Sequence, residues 1–278
     1  MSGAFGEIAE QLRRVTVQVL AGKSGRGSGV VWSQDGQVVT NAHVLAGDRV
    51  EVELWSGQRF PASIRQVDRQ RDLAALQVNA SQLCSAIPGD SDALRPGELV
   101  IAVGSPYGFI GAVSTGVIHS VARRWVASDV RLAPGNSGGP LANAKGEVIG
   151  LNTMIASGLS LAIPSRSVGR FLTGTSARRP VLGITTRPVS LDSGRGLGFL
   201  VLEIAAQSPA ERASLLPGDF LTGAAGRPFS SPDDLQGDLE DALSSSREGQ
   251  LEIEFRRGTA HQVRRVIVQL AAERVKAA

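Results

Sequence analysis

The strongest constraint on the fold is a run of short, β-patterned segments between residues 15 and 163. Residues 15–19, 29–32, 37–39, 50–54, 99–103, 113–118, 147–151 and 159–163 each carry alternating or continuous apolar side chains. Turn residues bound them, as in Ser33-Gln34-Asp35-Gly36 and Trp55-Ser56-Gly57-Gln58. Alternation with period two sends successive side chains to opposite faces of a strand. Many short strands at this spacing bury their apolar faces by forming a sandwich or barrels, so a mainly β fold is expected. Residues 7–14 are expected to add one or two helical turns.

Length and composition narrow the class further. At 278 residues the chain holds two domains or one large one. An apolar share of 42% against 20% charged residues excludes a disordered chain. The net charge is +3, and it is spread: residues 1–175 carry 16 basic and 13 acidic side chains, residues 176–278 13 of each. That is not the footprint of a nucleic-acid binder. No run approaches the ~18 apolar residues of a membrane helix. The N-terminus has no basic region and no apolar core, so it does not read as a signal peptide. A cytoplasmic location is expected, or an extracytoplasmic one if a leader is missing. Cys84 is the only cysteine, which forbids an internal disulfide, and beside Leu83 and Ile87 it is expected to be a buried thiol.

The texture changes after residues 173–180, a polar, small and basic stretch read as a linker. Strands are expected at 181–185 and 198–204, then a turn of helix near 209–213. Ser231-Pro232-Asp233-Asp234 has the marks of a helix start: a Ser cap, Pro at the first position and an acid three residues after the cap. Leu235, Leu239 and Leu243 give that helix one apolar face. Residues 251–255 and 263–270 read as a hairpin around Arg257-Gly258-Thr259. This is a small α+β module.

The sharpest local string is Pro134-Gly135-Asn136-Ser137-Gly138-Gly139-Pro140. Glycine and proline on both sides of one Ser enforce a tight turn, which exposes the hydroxyl and gathers backbone N–H groups. Acyl transfer needs those two features. A serine hydroxyl needs a base, and His43 stands where the apolar strand Val39-Thr40 ends in a polar turn. His119 and His261 read as structural or exposed. An imidazole base needs an acceptor on its far nitrogen. Asp72, just before the apolar Leu73-Ala74-Ala75-Leu76, is carried to the edge of a core. Asp68 competes, but Arg65 and Arg69 flank it and a solvated turn acid is expected there. The order His43, Asp72, Ser137 matches chymotrypsin-like proteases and neither α/β-hydrolases nor subtilisins. Phosphate-loop, dinucleotide and zinc spacings are absent.

Several strings together resemble the HtrA (high-temperature-requirement) family of serine proteases with one PDZ domain. They are Gly27-Ser28-Gly29-Val30-Val31, Val39-Thr40-Asn41-Ala42-His43-Val44, Asp72-Leu73-Ala74-Ala75-Leu76, Gly89-Asp90-Ser91-Asp92, Val103-Gly104-Ser105-Pro106-Tyr107-Gly108, the Ser137 string, Gly146-Glu147-Val148-Ile149-Gly150-Leu151-Asn152-Thr153 and Ala162-Ile163-Pro164. The resemblance implies two six-stranded antiparallel β-barrels over residues 15–172, after an N-terminal segment at 1–14. It implies a PDZ domain over 181–272 and a tail at 273–278. His43 would be the base, Asp72 its orienting acid and Ser137 the nucleophile. The N–H groups of Gly135 and Ser137, with Asn136 between them, would form the oxyanion hole. Leu132, Leu151 and Thr153 would shape an S1 pocket for small or medium aliphatic side chains. Val181, Leu182, Gly183 and Ile184 would take a peptide C-terminus, with Leu235 and Leu239 lining the groove. No metal or organic cofactor is implied. Polypeptide substrates are implied as partners, as are a homotrimer with Phe5 as the N-terminal aromatic. Two features depart from the family pattern. Only Ala122-Arg123-Arg124-Trp125-Val126 stands where a longer relay segment is usual, and Arg131-Leu132-Ala133-Pro134 replaces a more usual Ala-Ile-Asn-Pro. The alternative function is a catalytically dormant, PDZ-containing peptide-binding or holdase protein.

Overall fold

In a computed structural model the chain divides into two compact units, residues 1–174 and 175–278. The structure describes residues 2–22, 25–47, 49–69, 71–156, 158–173, 182–190, 197–229, 235, 237–239, 249–258 and 262–270. Most of the expected linker, Val181, the helix start at Ser231, His261 and the tail lie outside these residues.

The first unit opens with helix α1 (Ser2–Val15), which is longer than the sequence pattern implies. Six strands follow: β1 (Thr16–Ala21), β2 (Gly25–Val31), β3 (Gln37–Thr40), β4 (Val50–Leu54), β5 (Arg59–Asp68) and β6 (Leu73–Val78). They close into a barrel in the order β1-β2-β3-β6-β5-β4. Six more make a second closed barrel: β7 (Leu99–Gly104), β8 (Ala112–Val121), β9 (Val126–Ser128), β10 (Pro140–Asn143), β11 (Val148–Ala156) and β12 (Leu159–Pro164). Helix α2 (Ser165–Leu172) ends the unit. The fold is mainly β with two six-stranded antiparallel barrels, as in chymotrypsin-like proteins.

Inward valines and leucines fill each barrel, Val17, Val19, Val38 and Val52 in the first and Val100, Ile118 and Leu141 in the second. A third cluster joins the barrels to both helices through Leu12, Val30, Val39, Leu73, Ile101, Leu151 and Phe171. Leu151 is wholly buried there, so it does not line an open S1 pocket; its strand turns that side chain into the seam between the barrels. Cys84 is exposed, not buried. It lies in the irregular chain between β6 and β7, which has no pleat to turn the thiol inward.

Register does the work of bringing distant residues together. Strand β3 pairs antiparallel with β6, Thr40 opposite Ala74. The residues just beyond the end of β3 therefore meet those just before the start of β6. In the same way β10 pairs with β11, Pro140 opposite Leu151. The turn before β10 is thereby placed beside Asn152 and Thr153.

The second unit is a sheet in the order β13-β14-β15-β17-β18, with β16 beside β15. Its strands are β13 (Ile184–Ser190), β14 (Leu197–Ile204), β15 (Phe220–Ala224), β16 (Arg227–Pro228), β17 (Gln250–Arg256) and β18 (Arg264–Gln269). A short helix, α3 (Pro209–Arg212), starts at Ser208, whose hydroxyl accepts from the Glu211 N–H. Leu182, Leu235 and Leu239 are buried in this unit's core with Phe199, Val201 and Leu221.

Candidate active site

His43 sits in a short 3-10 turn (Ala42–Val44) right after β3. Asp72 stands in the tight turn before β6. Its φ is +56°, a left-handed conformation that Asp tolerates better than most residues. Asp68, expected to be solvated, is buried and holds this turn closed. Its carboxylate accepts from the Arg71 N–H at 3.0 Å and from the Arg71 guanidinium at 2.8 Å.

The two candidate residues meet. His43 Nδ1 lies 2.7 Å from Asp72 Oδ2, and the His43 backbone N–H donates to Asp72 Oδ1 at 2.9 Å. Two further residues complete the grip, Thr153, which the sequence reading gave to S1, and Asn41, which it did not single out. Thr153 donates its hydroxyl to Asp72 Oδ2 at 2.7 Å, and buried Asn41 donates its side-chain amide to the Asp72 carbonyl at 2.9 Å. Burial pushes the Asp72 carboxyl up. The hydrogen bonds from the His43 ring, the Thr153 hydroxyl and the His43 N–H, with the His43 charge, outweigh that and hold it below its ordinary value. An ionised carboxylate accepts from Nδ1–H, which leaves Nε2 as the imidazole's lone-pair nitrogen.

Ser137 comes from the second barrel. Ala133 to Asn136 form a turn closed by Asn136 N–H donating to the Ala133 carbonyl at 3.0 Å. Pro134 and Gly135 (φ +106°) occupy its middle, the type II signature. A second turn, Asn136 to Gly139, repeats the device: Gly139 donates to the Asn136 carbonyl at 3.0 Å, with Gly138 at φ +88°. A side chain at Gly135 would run into the Ser105 carbonyl, and one at Gly138 into the Ser28 carbonyl.

These bonds decide where the N–H groups point, because C=O and N–H of a trans peptide face opposite ways. The Pro134 carbonyl is held by Tyr107 N–H at 3.0 Å and the Asn136 carbonyl by Gly139 N–H, so the Gly135 and Ser137 N–H groups face the other way. Among the described residues neither of those two has a partner. The Asn136 N–H is committed to Ala133, which leaves Asn136 as a spacer and not a donor.

The Ser137 hydroxyl does not reach His43. It donates to the Thr153 carbonyl at 2.9 Å. Thr153 thus touches both halves of the site, and its hydroxyl serves Asp72 where the sequence reading gave it to S1. Leu132 is half-buried against the second barrel's core. Beyond Thr153 on β11, Met154 and Ile155 are exposed. His119 lies exposed on β8, with Nε2 3.4 Å from Asp129.

Two six-stranded barrels, with a His–Asp pair from one facing a serine turn from the other, define the trypsin-like peptidase architecture. Residues 27–151 match the family model for the trypsin-like peptidase domain. The chain is 34% identical over 252 residues to a putative serine protease HhoB of Synechocystis sp., covering 78% of this chain and 61% of that protein. It is 32% identical over 271 residues to human serine protease HTRA3, covering 84% and 58%. It is 36% identical over 224 residues to a probable periplasmic serine endoprotease DegP-like of Marinomonas sp., covering 72% and 48%. It thus spans about half to three-fifths of the length of these relatives. Among solved structures, the HtrA-type protease AlgW with tripeptide superposes with a TM-score of 0.77 at 24% identity over 98% of each chain. The AlgWS227A form with tripeptide gives 0.75 at 25% identity over 97% of each. The chain thus carries a trypsin-like peptidase domain and is similar to serine proteases of the HtrA family.

Proposed function

We propose that the chain is a serine endopeptidase of HtrA type that hydrolyses unfolded or damaged polypeptides through His43, Asp72 and Ser137. The observation that carries this reading is the His43 ring locked on Asp72 beside a serine turn with two unengaged N–H groups. The Ser137 hydroxyl rotates from the Thr153 carbonyl to His43 Nε2, which takes its proton as Oγ attacks the scissile carbonyl carbon. The carbonyl oxygen becomes an oxyanion between the Gly135 and Ser137 N–H groups. His43 then returns that proton to the leaving amine, and the C–N bond breaks. A water, deprotonated by His43, hydrolyses the acyl-enzyme and restores Ser137. Wild-type protein should digest casein and take a fluorophosphonate label. Ser137→Ala should lose both, with turnover down by about 10⁶-fold. A Ser137→Ala protein as active as wild type would sink the reading.

A second reading, a dormant barrel pair serving a peptide-binding unit, draws on the Ser137 hydroxyl resting on Thr153. It predicts no casein digestion by wild type and client protection unchanged in Ser137→Ala.

For the second unit we propose a PDZ domain that binds peptide C-termini. Strand β13 is an edge strand, paired only with β14 among the described residues, which suits strand addition. The Leu182 carbonyl is held by Ala210 N–H at 2.9 Å and the Gly183 carbonyl by Ala205 N–H at 2.8 Å. The Gly183 and Ile184 N–H groups are thereby aimed the opposite way, towards a carboxylate seated at the start of β13. Peptides with a free C-terminus should bind and their amidated forms should not, read by fluorescence anisotropy. The trimer proposal rests on Phe5, exposed on α1.

A further inference from the structure

Ser28 lies on β2 of the first barrel and is wholly buried, yet most of its polar contacts are to the second barrel. Its N–H donates to the Ser137 carbonyl at 2.8 Å. Its hydroxyl donates to the Gly135 carbonyl at 2.6 Å and accepts from the Ser105 N–H at 2.8 Å. Its own carbonyl accepts from the Thr40 hydroxyl at 2.7 Å.

The two carbonyls that Ser28 holds alternate with the two held by Tyr107 and Gly139. Every peptide from Pro134 to Gly138 therefore has its oxygen fixed from outside or by the turn itself. Only a side chain that donates and accepts from one atom can bridge the Gly135 carbonyl and the Ser105 N–H here. A hydroxyl on Cβ does so; a methyl leaves the half-buried carbonyl and the buried N–H without a partner. The neighbours make room for that hydroxyl by having no side chain: a Cβ at Gly104 would come within 3.1 Å of Ser28 Oγ, and one at Gly139 within 3.2 Å of Ser28 Cβ.

We propose that Ser28 is a positioning residue for the oxyanion hole. Its hydroxyl splints the Gly135 carbonyl, and through the shared turn it fixes the direction of the Gly135 and Ser137 N–H groups. Without it the Gly135–Asn136 peptide is held only by its turn bond to the Ala133 carbonyl, and the flanking donors lose part of their aim. The inference rests on the peptidase reading above.

The test compares full-length wild type, Ser28→Ala and Ser28→Cys on a peptide substrate. It also measures inhibition by a peptidyl trifluoromethyl ketone, whose tetrahedral adduct places an oxyanion in the hole, and by the matching product peptide, which does not. For Ser28→Ala, kcat and trifluoromethyl ketone affinity should fall together by about tenfold or more, since a misaimed donor forfeits part of what a deleted one does. KM and product-peptide affinity should not change. Ser28→Cys keeps a donor on Cβ, larger and weaker than the hydroxyl, and should recover part of both losses; it carries the test if the Ala variant does not fold. Unchanged ketone affinity in either variant overturns the proposal, as does equal weakening of ketone and product peptide. Activity retained by Ser137→Ala would instead overturn the peptidase reading itself.

Discussion

The two barrels prepare the site to different degrees. The first delivers a nearly finished half: three hydrogen bonds from His43 and Asn41 converge on Asp72, a fourth reaches it from Thr153 of the second barrel, and the imidazole has no freedom to choose its tautomer. The second delivers a rigid backbone with one loose atom. The turn around Ser137 is fixed peptide by peptide, while the hydroxyl rests on the Thr153 carbonyl and not on His43. The expensive alignments, of an imidazole, a carboxylate and a run of peptide planes, are thus built by folding. The remaining adjustment is one side-chain rotation that exchanges one hydrogen bond for another, a step of about 1 kcal/mol in net terms.

Breaking the finished half should have the largest effect. Asp72→Asn keeps the shape but places a donor where His43 Nδ1–H needs an acceptor, so kcat should fall by about 10⁴-fold. Steady-state kinetics on a peptide substrate measure it, with circular dichroism to show the variant folded. A loss below tenfold would mean that the carboxylate does not set the tautomer. Gly135→Ala attacks the other half, forcing a Cβ into the Ser105 carbonyl at a positive φ. Its kcat should fall by about 10²–10³-fold, the scale of one oxyanion donor. The downfield proton resonance of the His43–Asp72 hydrogen bond should stay where it is. If that resonance also vanishes, the two halves are not independent.

The same contrast explains what could be read from the chain. His43, Asp72 and Ser137 were legible because each stands at a break in local pattern: a strand ending in a polar turn, an acid before an apolar run, a serine among glycines. Strands with strong apolar alternation were legible too. β5 was not, since most of its residues are exposed and Pro61 interrupts it, and neither were the short β9 and β10. Helix α2 begins without a side-chain cap and gave no start signal. Ser28, Asn41 and the Thr153 hydroxyl act across long sequence separations, and a serine or threonine inside a strand carries no local sign of the bond it will make. Leu151 misled for the same reason: an apolar residue near the site can face the seam as well as the pocket, and only the pairing of β10 with β11 decides.

Thr153 is where the two halves touch, and its replacement should give the smallest and most informative change. Thr153→Val removes the hydroxyl from Asp72 but keeps the backbone carbonyl on which Ser137 rests. The Asp72 carboxyl is held below its ordinary value, so its contribution to stability is present above that value and is lost as the pH falls through the lowered one. With one of the bonds that lower it gone, the carboxyl should titrate at a higher pH, and the acid loss of stability should be smaller and complete at a higher pH. Carbon-13 NMR of the Asp72 carboxylate and thermal melts across the acid range read both. The drop in kcat should be about tenfold, matching a hydrogen bond to a charged group of about 1.5 kcal/mol. An Asp72 titration that does not move would mean that Thr153 merely packs against the carboxylate. The polar link between the barrels at the site would then run through Ser28 instead.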